Sequence, residues 1–156
     1  MKLQSDLREF IVLLNSFTVD YVVVGGHAVA FHGHPRFTGD IDFLIRPTRD
    51  NAQRLLQALR EFGFTDIALS IEDLVTPGNV VQLGHPPNRI DLLTSISGID
   101  FEEAWTGRVI ATLDEVPVFF LGQEALVKNK LASGRDKDIA DVKKLQSIMS
   151  RQKPPK

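Results

Sequence analysis

The first fifteen residues of the chain repeat their apolar positions with a helical period. Apolar side chains recur every three or four residues, which places them on one face of a helix, and charged side chains fall on the opposite face. The apolar positions are Leu3, Leu7, Phe10, Ile11 and Leu14. This pattern predicts an amphipathic helix with a structural role.

A continuous apolar segment follows over residues 19–24, and its β-branched and aromatic side chains are typical of a buried strand. Gly25 and Gly26 come directly after it, where a chain that leaves a strand must turn sharply. Residues 27–33 then predict a short helix. The free backbone N–H groups at such a turn and helix start suit a phosphate group.

Acidic and apolar residues alternate in the segment Asp40–Ile45. Successive side chains of a strand point to opposite faces, so Asp40 and Asp42 share one face while Ile41 and Phe43 fill the other. Two carboxylates held close together repel each other unless a cation lies between them. Hard oxygen ligands of this kind suit Mg²⁺ that carries nucleotide phosphates. The segment therefore predicts a metal site next to the phosphate-binding turn.

The rest of the chain predicts further helices and strands. Residues 50–62 form a second long amphipathic helix with Asp50 as its N-cap. Pro117 indicates an edge strand, because proline has no N–H to give a neighbouring strand. The remaining predicted elements are a strand over residues 65–69, a helical turn over 70–75, a hairpin of Val80–Leu83 and Arg89–Leu93, a short helix after Asp100, a hairpin of residues 108–113 and Val116–Phe120, and helices over Gln123–Ser133 and 136–149. Together they indicate an α+β or α/β fold.

A third carboxylate, Asp91, lies between Ile90 and Leu92 in a predicted strand. An unpaired charge inside an apolar strand is costly, so Asp91 needs either solvent or a partner. It can lie on a solvated face of a half-buried strand. Alternatively, it lies beside Asp40 and Asp42 as the third acid of their site, which is the interpretation we favour.

Composition indicates one domain over residues 1–150 and a short disordered basic tail over 151–156. No apolar run approaches the ~20 residues that a membrane span needs, and no secretory signal is evident. The chain has no cysteine, which fits a cytoplasmic protein without a membrane partner. The net charge of −2 argues against a long nucleic-acid duplex as partner, and it leaves open a local basic groove for tRNA.

Two groups of residues occur in an order and spacing that form a signature. They are Gly25-Gly26, Arg36, Thr38 and Asp40-Ile41-Asp42, with thirteen residues between the glycine pair and the first acid, and, near the C-terminus, Lys128, Lys130 and residues 134–141. This arrangement resembles the nucleotidyltransferase superfamily, in particular its small bacterial members. Those members include lincosamide nucleotidyltransferases and the nucleotidyltransferase toxins of toxin–antitoxin pairs. The resemblance implies the polymerase-β-like fold, an α+β architecture with a mixed sheet, helices mainly on one face and C-terminal helices.

The resemblance also implies a reaction, in which a nucleoside monophosphate moves from a nucleoside triphosphate to an acceptor hydroxyl and pyrophosphate is released. Two-metal chemistry of this type needs carboxylates that hold Mg²⁺, with Mn²⁺ as the alternative ion. Asp40, Asp42 and Asp91 are the expected metal ligands and catalytic residues. Asp91 is also positioned in the family pattern to accept the proton of the acceptor.

Five residues are expected to contact the nucleotide. Gly25 and Gly26 let the backbone approach the β- and γ-phosphates, and His27 is placed to donate to a phosphate oxygen. Arg36 is equally well placed to contact a phosphate or to pair with Asp40. Lys128 is a phosphate contact by resemblance, although a solvated helix lysine is the commoner situation.

Several questions stay open at this level. The acceptor is a small molecule, a tRNA end or a protein hydroxyl, and the small size implies that loops, a homo-oligomer or a partner protein supply its specificity. The charged residues Arg135, Lys137, Asp138 and Asp141 predict a solvated helix start with mutual ion pairs. The alternative function is a nucleotide-binding or regulatory module, for example a toxin–antitoxin component, that keeps the fold without turnover.

Overall fold

The computed structural model describes residues 5–34, 40–65, 68–85 and 89–152. Seven helices and six strands are assigned in this part of the chain. In order they are α1 (Ser5–Ser16), β1 (Tyr21–Val24), α2 (Gly25–Phe31), β2 (Asp40–Ile45), α3 (Arg49–Phe62), α4 (Ile71–Val75), β3 (Val80–Leu83), β4 (Arg89–Leu93), α5 (Phe101–Thr106), β5 (Val109–Leu113), β6 (Val116–Phe120), α6 (Gln123–Ser133) and α7 (Asp136–Gln152). None of these helices combines the length and the apolar character that crossing a membrane requires.

The six strands form one mixed sheet in the order β3-β4-β2-β1-β6-β5. β1 and β2 are antiparallel, as are β3 and β4 and also β5 and β6, so the two predicted hairpins are confirmed. β2 and β4 run parallel, and so do β1 and β6. The predicted strand over residues 65–69 is not formed at residues 65, 68 and 69, while residues 66 and 67 lie outside the described ranges. The predicted α+β class with a mixed sheet is confirmed.

The apolar core includes the sheet face that carries Phe43 and the helices α1 and α3. Phe10 of α1 is fully buried, and its ring meets the rings of Phe43 and Phe62 edge-on at centroid distances of 5.4 and 5.2 Å. Strand alternation places Phe43 on the face opposite Asp42. The predicted amphipathic helix therefore packs beneath the sheet and leaves the face with the acids to other elements.

The ends of two helices differ from the predicted ones. The N-cap of α3 lies two residues earlier than expected, because the side chain of Thr48, rather than Asp50, accepts a hydrogen bond from the backbone N–H of Asn51. Asp50 instead lies in the first turn, where its charge complements the helix dipole. α7 continues to Gln152, past the predicted end at residue 149. Residues 151 and 152 of the predicted disordered tail are therefore helical, and residues 153–156 lie outside the described ranges, so for them disorder stays a prediction.

Pro117 does not mark an edge strand, so that prediction is wrong. It lies in β6, which has β1 on one side and β5 on the other. The register joins β1 to β6 at Val23 and Phe120, at the other end of β6, so the missing N–H of Pro117 falls outside this pairing. The carbonyl of Pro117 is still used, because Asn15 donates its side-chain N–H to it at 2.8 Å.

Candidate active site

The chain leaves β1 through a glycine with a left-handed backbone. Gly25 has φ +66° and is already the first residue of α2, two residues before the predicted helix start at His27. A Cβ atom on Gly25 would lie 2.2 Å from Oδ2 of Asp42. Only glycine therefore allows this backbone and the Asp42 carboxylate to approach each other so closely.

The three predicted acids meet on one face of the sheet. In the parallel pairing of β2 and β4, Asp42 stands opposite Asp91, and Asp40 stands opposite Arg89. One carboxylate oxygen from each of Asp40, Asp42 and Asp91 lies within 4.8 Å of the other two. Asp91 is buried, whereas Asp40 and Asp42 are half-buried. The alternative, in which Asp91 lies on a solvated face of a half-buried strand, is therefore wrong.

An arginine that the sequence pattern does not single out joins this cluster. Arg89 donates from Nε to Oδ1 of Asp91 at 2.9 Å and from Nη2 to Oδ2 of Asp40 at 2.7 Å. A further bond links Nη2 to Oδ2 of Asp91 at 3.1 Å. The available signal is its position two residues before Asp91 in a strand, which puts both side chains on the same face.

Mutual repulsion and burial perturb the acids. Burial, followed by the charges of Asp40 and Asp91, raises the pKa of Asp42 to about 7. Burial also raises the pKa of Asp91, although the hydrogen bonds from Arg89 oppose this shift. Perturbed carboxyl groups in a cluster are frequent at functional sites.

The side chain of His27 is half-buried and hydrogen-bonded to the backbone of Asp40. Burial lowers the pKa of its imidazole, against a hydrogen bond with the backbone of Asp40 that favours the charged form. Its Nδ1 atom is buried and meets no hydrogen-bond partner in the described part of the chain. His27 therefore links the start of α2 to the first residue of β2, the strand that carries two of the acids.

Lys128 pairs with an acid that is not part of the cluster. Its ammonium group pairs with Glu103 of α5 at 2.9 Å, and its side chain is 57% exposed. Together with Gly122 at the start of α6 and Gly107 after α5, it lines an open cavity of about 490 Å³. Arg36, the other predicted basic contact, lies outside the described residues.

The neighbouring lysine, Lys130, is buried in a charged network between α6 and α7. Its ammonium group contacts Asp138 at 3.0 Å and Asp141 at 3.2 Å, and all three residues are at most 5% exposed. The prediction of solvated charges at 138 and 141 is therefore wrong. Burial alone would raise the pKa of Asp138, but hydrogen bonds from Ser133, Lys130 and Arg135 lower it to about 2. The signal for Lys130 is its position four residues after the buried Leu126, on the same helix face.

Three solved structures resemble this fold. A lincomycin-bound lincosamide antibiotic adenylyltransferase, LnuA, superposes with a TM-score of 0.59 at 20% identity, covering 94% of this chain and 98% of its own. An antigenic nucleotidyltransferase-like protein from Paracoccidioides brasiliensis gives 0.56 at 22% identity, covering 100% and 81%. A candidate nucleotidyltransferase from Thermotoga maritima gives 0.60 at 17% identity, covering 90% of both chains. At these identities the likeness establishes the nucleotidyltransferase fold.

A family model covers nearly the whole chain. Residues 1–151 match the family described as nucleotidyltransferase of unknown function (DUF6036). No curated protein matches the chain. The chain therefore belongs to this nucleotidyltransferase family, and the resemblance carried by the glycine pair and the acids is confirmed.

Proposed function

We propose that this protein transfers a nucleoside monophosphate from a nucleoside triphosphate to an acceptor hydroxyl and releases pyrophosphate, with Mg²⁺ held by Asp40, Asp42 and Asp91. One observation carries the proposal. Three carboxylates from two adjacent strands bring their oxygens within 4.8 Å of one another, next to a glycine turn. Family membership supports the reaction class.

The residues of the cluster fit a hard divalent cation. All three ligands are carboxylates, which Mg²⁺ and Mn²⁺ prefer, and among the residues that the structure describes no softer ligand is part of the cluster. Burial and the charges of Asp40 and Asp91 raise the pKa of Asp42, and a bound cation would favour its charged form. When bound, the metal neutralises the charge that develops on the transferred phosphoryl group.

The side chains and backbone of the chain hold the reactants. The acceptor oxygen attacks the α-phosphorus, the bond to the bridging oxygen breaks, and pyrophosphate leaves with that electron pair. A carboxylate oxygen of Asp91 takes the proton of the acceptor hydroxyl. The backbone at Gly25 and Gly26, which has no Cβ, is where the β- and γ-phosphates approach.

The remaining predicted contacts have different structural support. His27 is hydrogen-bonded to the backbone of Asp40, so its role in our proposal is to fix the phosphate-binding turn against β2. Its Nδ1 atom, which meets no hydrogen-bond partner in the described part of the chain, is the atom that we propose for contact with a phosphate. Lys128 must release Glu103 before it can meet a phosphate. Arg36 stays a predicted contact.

The acceptor class remains a choice among a small molecule, a tRNA end and a protein hydroxyl. The open cavity between Lys128 and Gly107, beside the start of α6, offers room for part of an acceptor. A homo-oligomer or a partner protein would complete the specificity of so small a domain.

One observation favours a second candidate function. Arg89 already neutralises part of the acid cluster, as it would in a nucleotide-binding or regulatory module that has no turnover. In that case the acids would serve to hold Arg89 rather than a metal. Transfer of labelled nucleotide separates this candidate from the first.

The test begins with nucleotide binding. Calorimetry with each of the four nucleoside triphosphates, with and without Mg²⁺, identifies the base, and a labelled nucleotide then screens the acceptors. We expect Asp42→Asn to lose Mg²⁺-dependent binding and transfer by at least about 100-fold. Asp6→Asn, an exposed acid on α1, is the matched control and should keep both. Equal transfer by the two variants would contradict the proposed function.

A further inference from the structure

Arg89 bridges two acids of the cluster, Asp40 and Asp91. Its guanidinium group holds both oxygens of Asp91 and one oxygen of Asp40 at 2.7 to 3.1 Å. The parallel register of β2 and β4 sets this geometry, because it places Arg89 directly opposite Asp40 and on the same face as Asp91. The arginine is therefore a built part of the site rather than a passing surface contact.

Arg89 holds oxygens of two of the three carboxylates that the proposed metal needs. Mg²⁺ binds carboxylates by direct contact with their oxygens and keeps close to octahedral geometry. A guanidinium group within hydrogen-bond distance of Asp40 and Asp91 fills the space between them. It would also repel an incoming cation at short range. Arg89 and a directly bound metal therefore compete for these two acids.

We propose that Arg89 is the internal counter-ion of the acid cluster, which leaves Asp40 and Asp91 when metal binds and then contacts the phosphates of the nucleotide. This inference rests on the proposed function. Release of the side chain also frees Asp91, the residue that takes the acceptor proton. Arg89 is thus a positioning residue in the metal-free protein and a nucleotide-binding residue in the loaded one.

The side chain can make this move without unpacking the core. Its exposed fraction is 29%, compared with 8% for Asp91, so the guanidinium group lies on the open side of the cluster. The planar guanidinium group forms bidentate hydrogen bonds with carboxylates and with phosphates. Once cations occupy the acids, the phosphate oxygens of the nucleotide offer the guanidinium group new hydrogen-bond acceptors.

The proposal predicts opposite shifts in two affinities for Arg89→Gln. Without nucleotide, removal of the competing cation should tighten Mg²⁺ and Mn²⁺ binding by roughly tenfold, measured by calorimetry with the metal alone. With metal present, loss of the phosphate contact should weaken binding of the preferred nucleoside triphosphate by roughly tenfold or more. A purely structural role would weaken both affinities together.

Arg49→Gln is the matched control. Arg49 lies on α3, is 65% exposed and pairs with Glu72, so its substitution changes the net charge of the protein by the same amount. Both affinities of this variant should stay at the wild-type values. If Arg89→Gln fails to fold, Arg89→Lys carries the test, since it keeps the charge, loses the fork and should shift both affinities in the same directions by smaller factors.

Each outcome decides a separate point. Metal affinity that is unchanged or weaker in Arg89→Gln overturns the role as counter-ion. Tighter metal binding with unchanged nucleotide affinity overturns the phosphate contact. Asp42→Asn separates these failures from that of the proposed function: if it binds Mg²⁺ as well as the wild type does, the acids are not the metal site, and the function proposed above fails with it.

Discussion

Replacing Gly25 by alanine should impair metal binding and transfer far more than it impairs folding. A Cβ atom on this residue would lie 2.2 Å from Oδ2 and 3.1 Å from Cγ of Asp42. Ordinary contact between such atoms starts near 3.4 Å, so the carboxylate must move by about 1 Å. Asp42 can do this by turning its side chain, which leaves the backbone of the sheet in place.

The cost to stability should be modest. Gly25 has φ +66°, a conformation that costs an L residue about 1–2 kcal/mol. Displacement of the Asp42 carboxylate adds little to this loss of stability, because the end of the side chain moves more easily than the backbone. The cost to function should be larger, since a misplacement of about 1 Å at a catalytic group reduces the rate on the order of 100-fold.

Gly134→Ala separates strain from displacement. Gly134 has φ +69°, nearly the same as Gly25, and nothing lies within 4 Å of the position of an added Cβ. Urea unfolding should show a similar loss of about 1–2 kcal/mol in both variants. Calorimetry with Mn²⁺ and a transfer assay should show a loss of affinity and rate in Gly25→Ala alone.

Two results would refute this reasoning. If both variants bind Mn²⁺ and transfer nucleotide equally well, the close approach of Gly25 to Asp42 has no role in the site. If Gly25→Ala unfolds while Gly134→Ala remains stable, the contact supports the fold instead of placing the carboxylate.

Two further predictions concern the stability of the protein. In metal-free buffer Asp42→Asn should have a larger free energy of unfolding than the wild type at pH 8, and this difference should close toward pH 4. The Asp42 carboxyl group has a pKa of about 7 in the folded protein and near 3.8 in the unfolded chain, so between these values it is protonated when folded and ionised when unfolded. Wild-type stability therefore falls as pH rises through this range. Urea unfolding across this range with a chelator checks the slope, and a constant gap would contradict it. Lys130→Met should cost about 3 kcal/mol, because it removes the ammonium group from the buried Asp138 and Asp141, whereas Lys143→Met on the exposed face of α7 should stay within about 0.5 kcal/mol. Equal urea midpoints would rule out the buried network as a stabilising feature.

The parts of the site that could be predicted from sequence depend on local patterns. The alternation in Asp40–Ile45 fixes which side chains share a face, and this rule needs no knowledge of the neighbouring strands. The glycine pair likewise marks a turn wherever the fold places it. The local pattern alone could not place Asp91 in the site, because its position opposite Asp42 depends on which strands are adjacent. The resemblance to a known family supplied that information.

Arg89 could not be assigned in the same way. Its contact with Asp40 spans 49 residues and exists only because β2 and β4 are parallel neighbours in one particular register. A shift of that register by one residue would turn Arg89 toward the other face relative to Asp40. No local pattern sets the register between strands so distant in the chain.

The buried charges of α6 and α7 illustrate a second limit. Charged residues at a helix start are most often solvated, and the prediction for Asp138 and Asp141 followed this general tendency. Their burial follows from the packing of α7 against α6, which brings Lys130 to the two acids. The pairing between helices, rather than the composition of either one, determines which charges are buried.

Within the described part of the chain, Arg89 is the positive side chain bonded to the acid cluster, and under the proposed function a cation from solution adds to its charge. The hydrogen bonds of Arg89 go to Asp40 and Asp91, and its single positive charge faces three carboxylates. Asp42 meets these two acids and the backbone of Gly25, and its pKa rises to about 7 even with the guanidinium group nearby. A cluster with only a structural purpose would be more stable with fewer acids, because each buried like charge raises the cost of folding. The sheet instead holds all three on one face, which is the arrangement expected if a divalent ion binds there, as we propose.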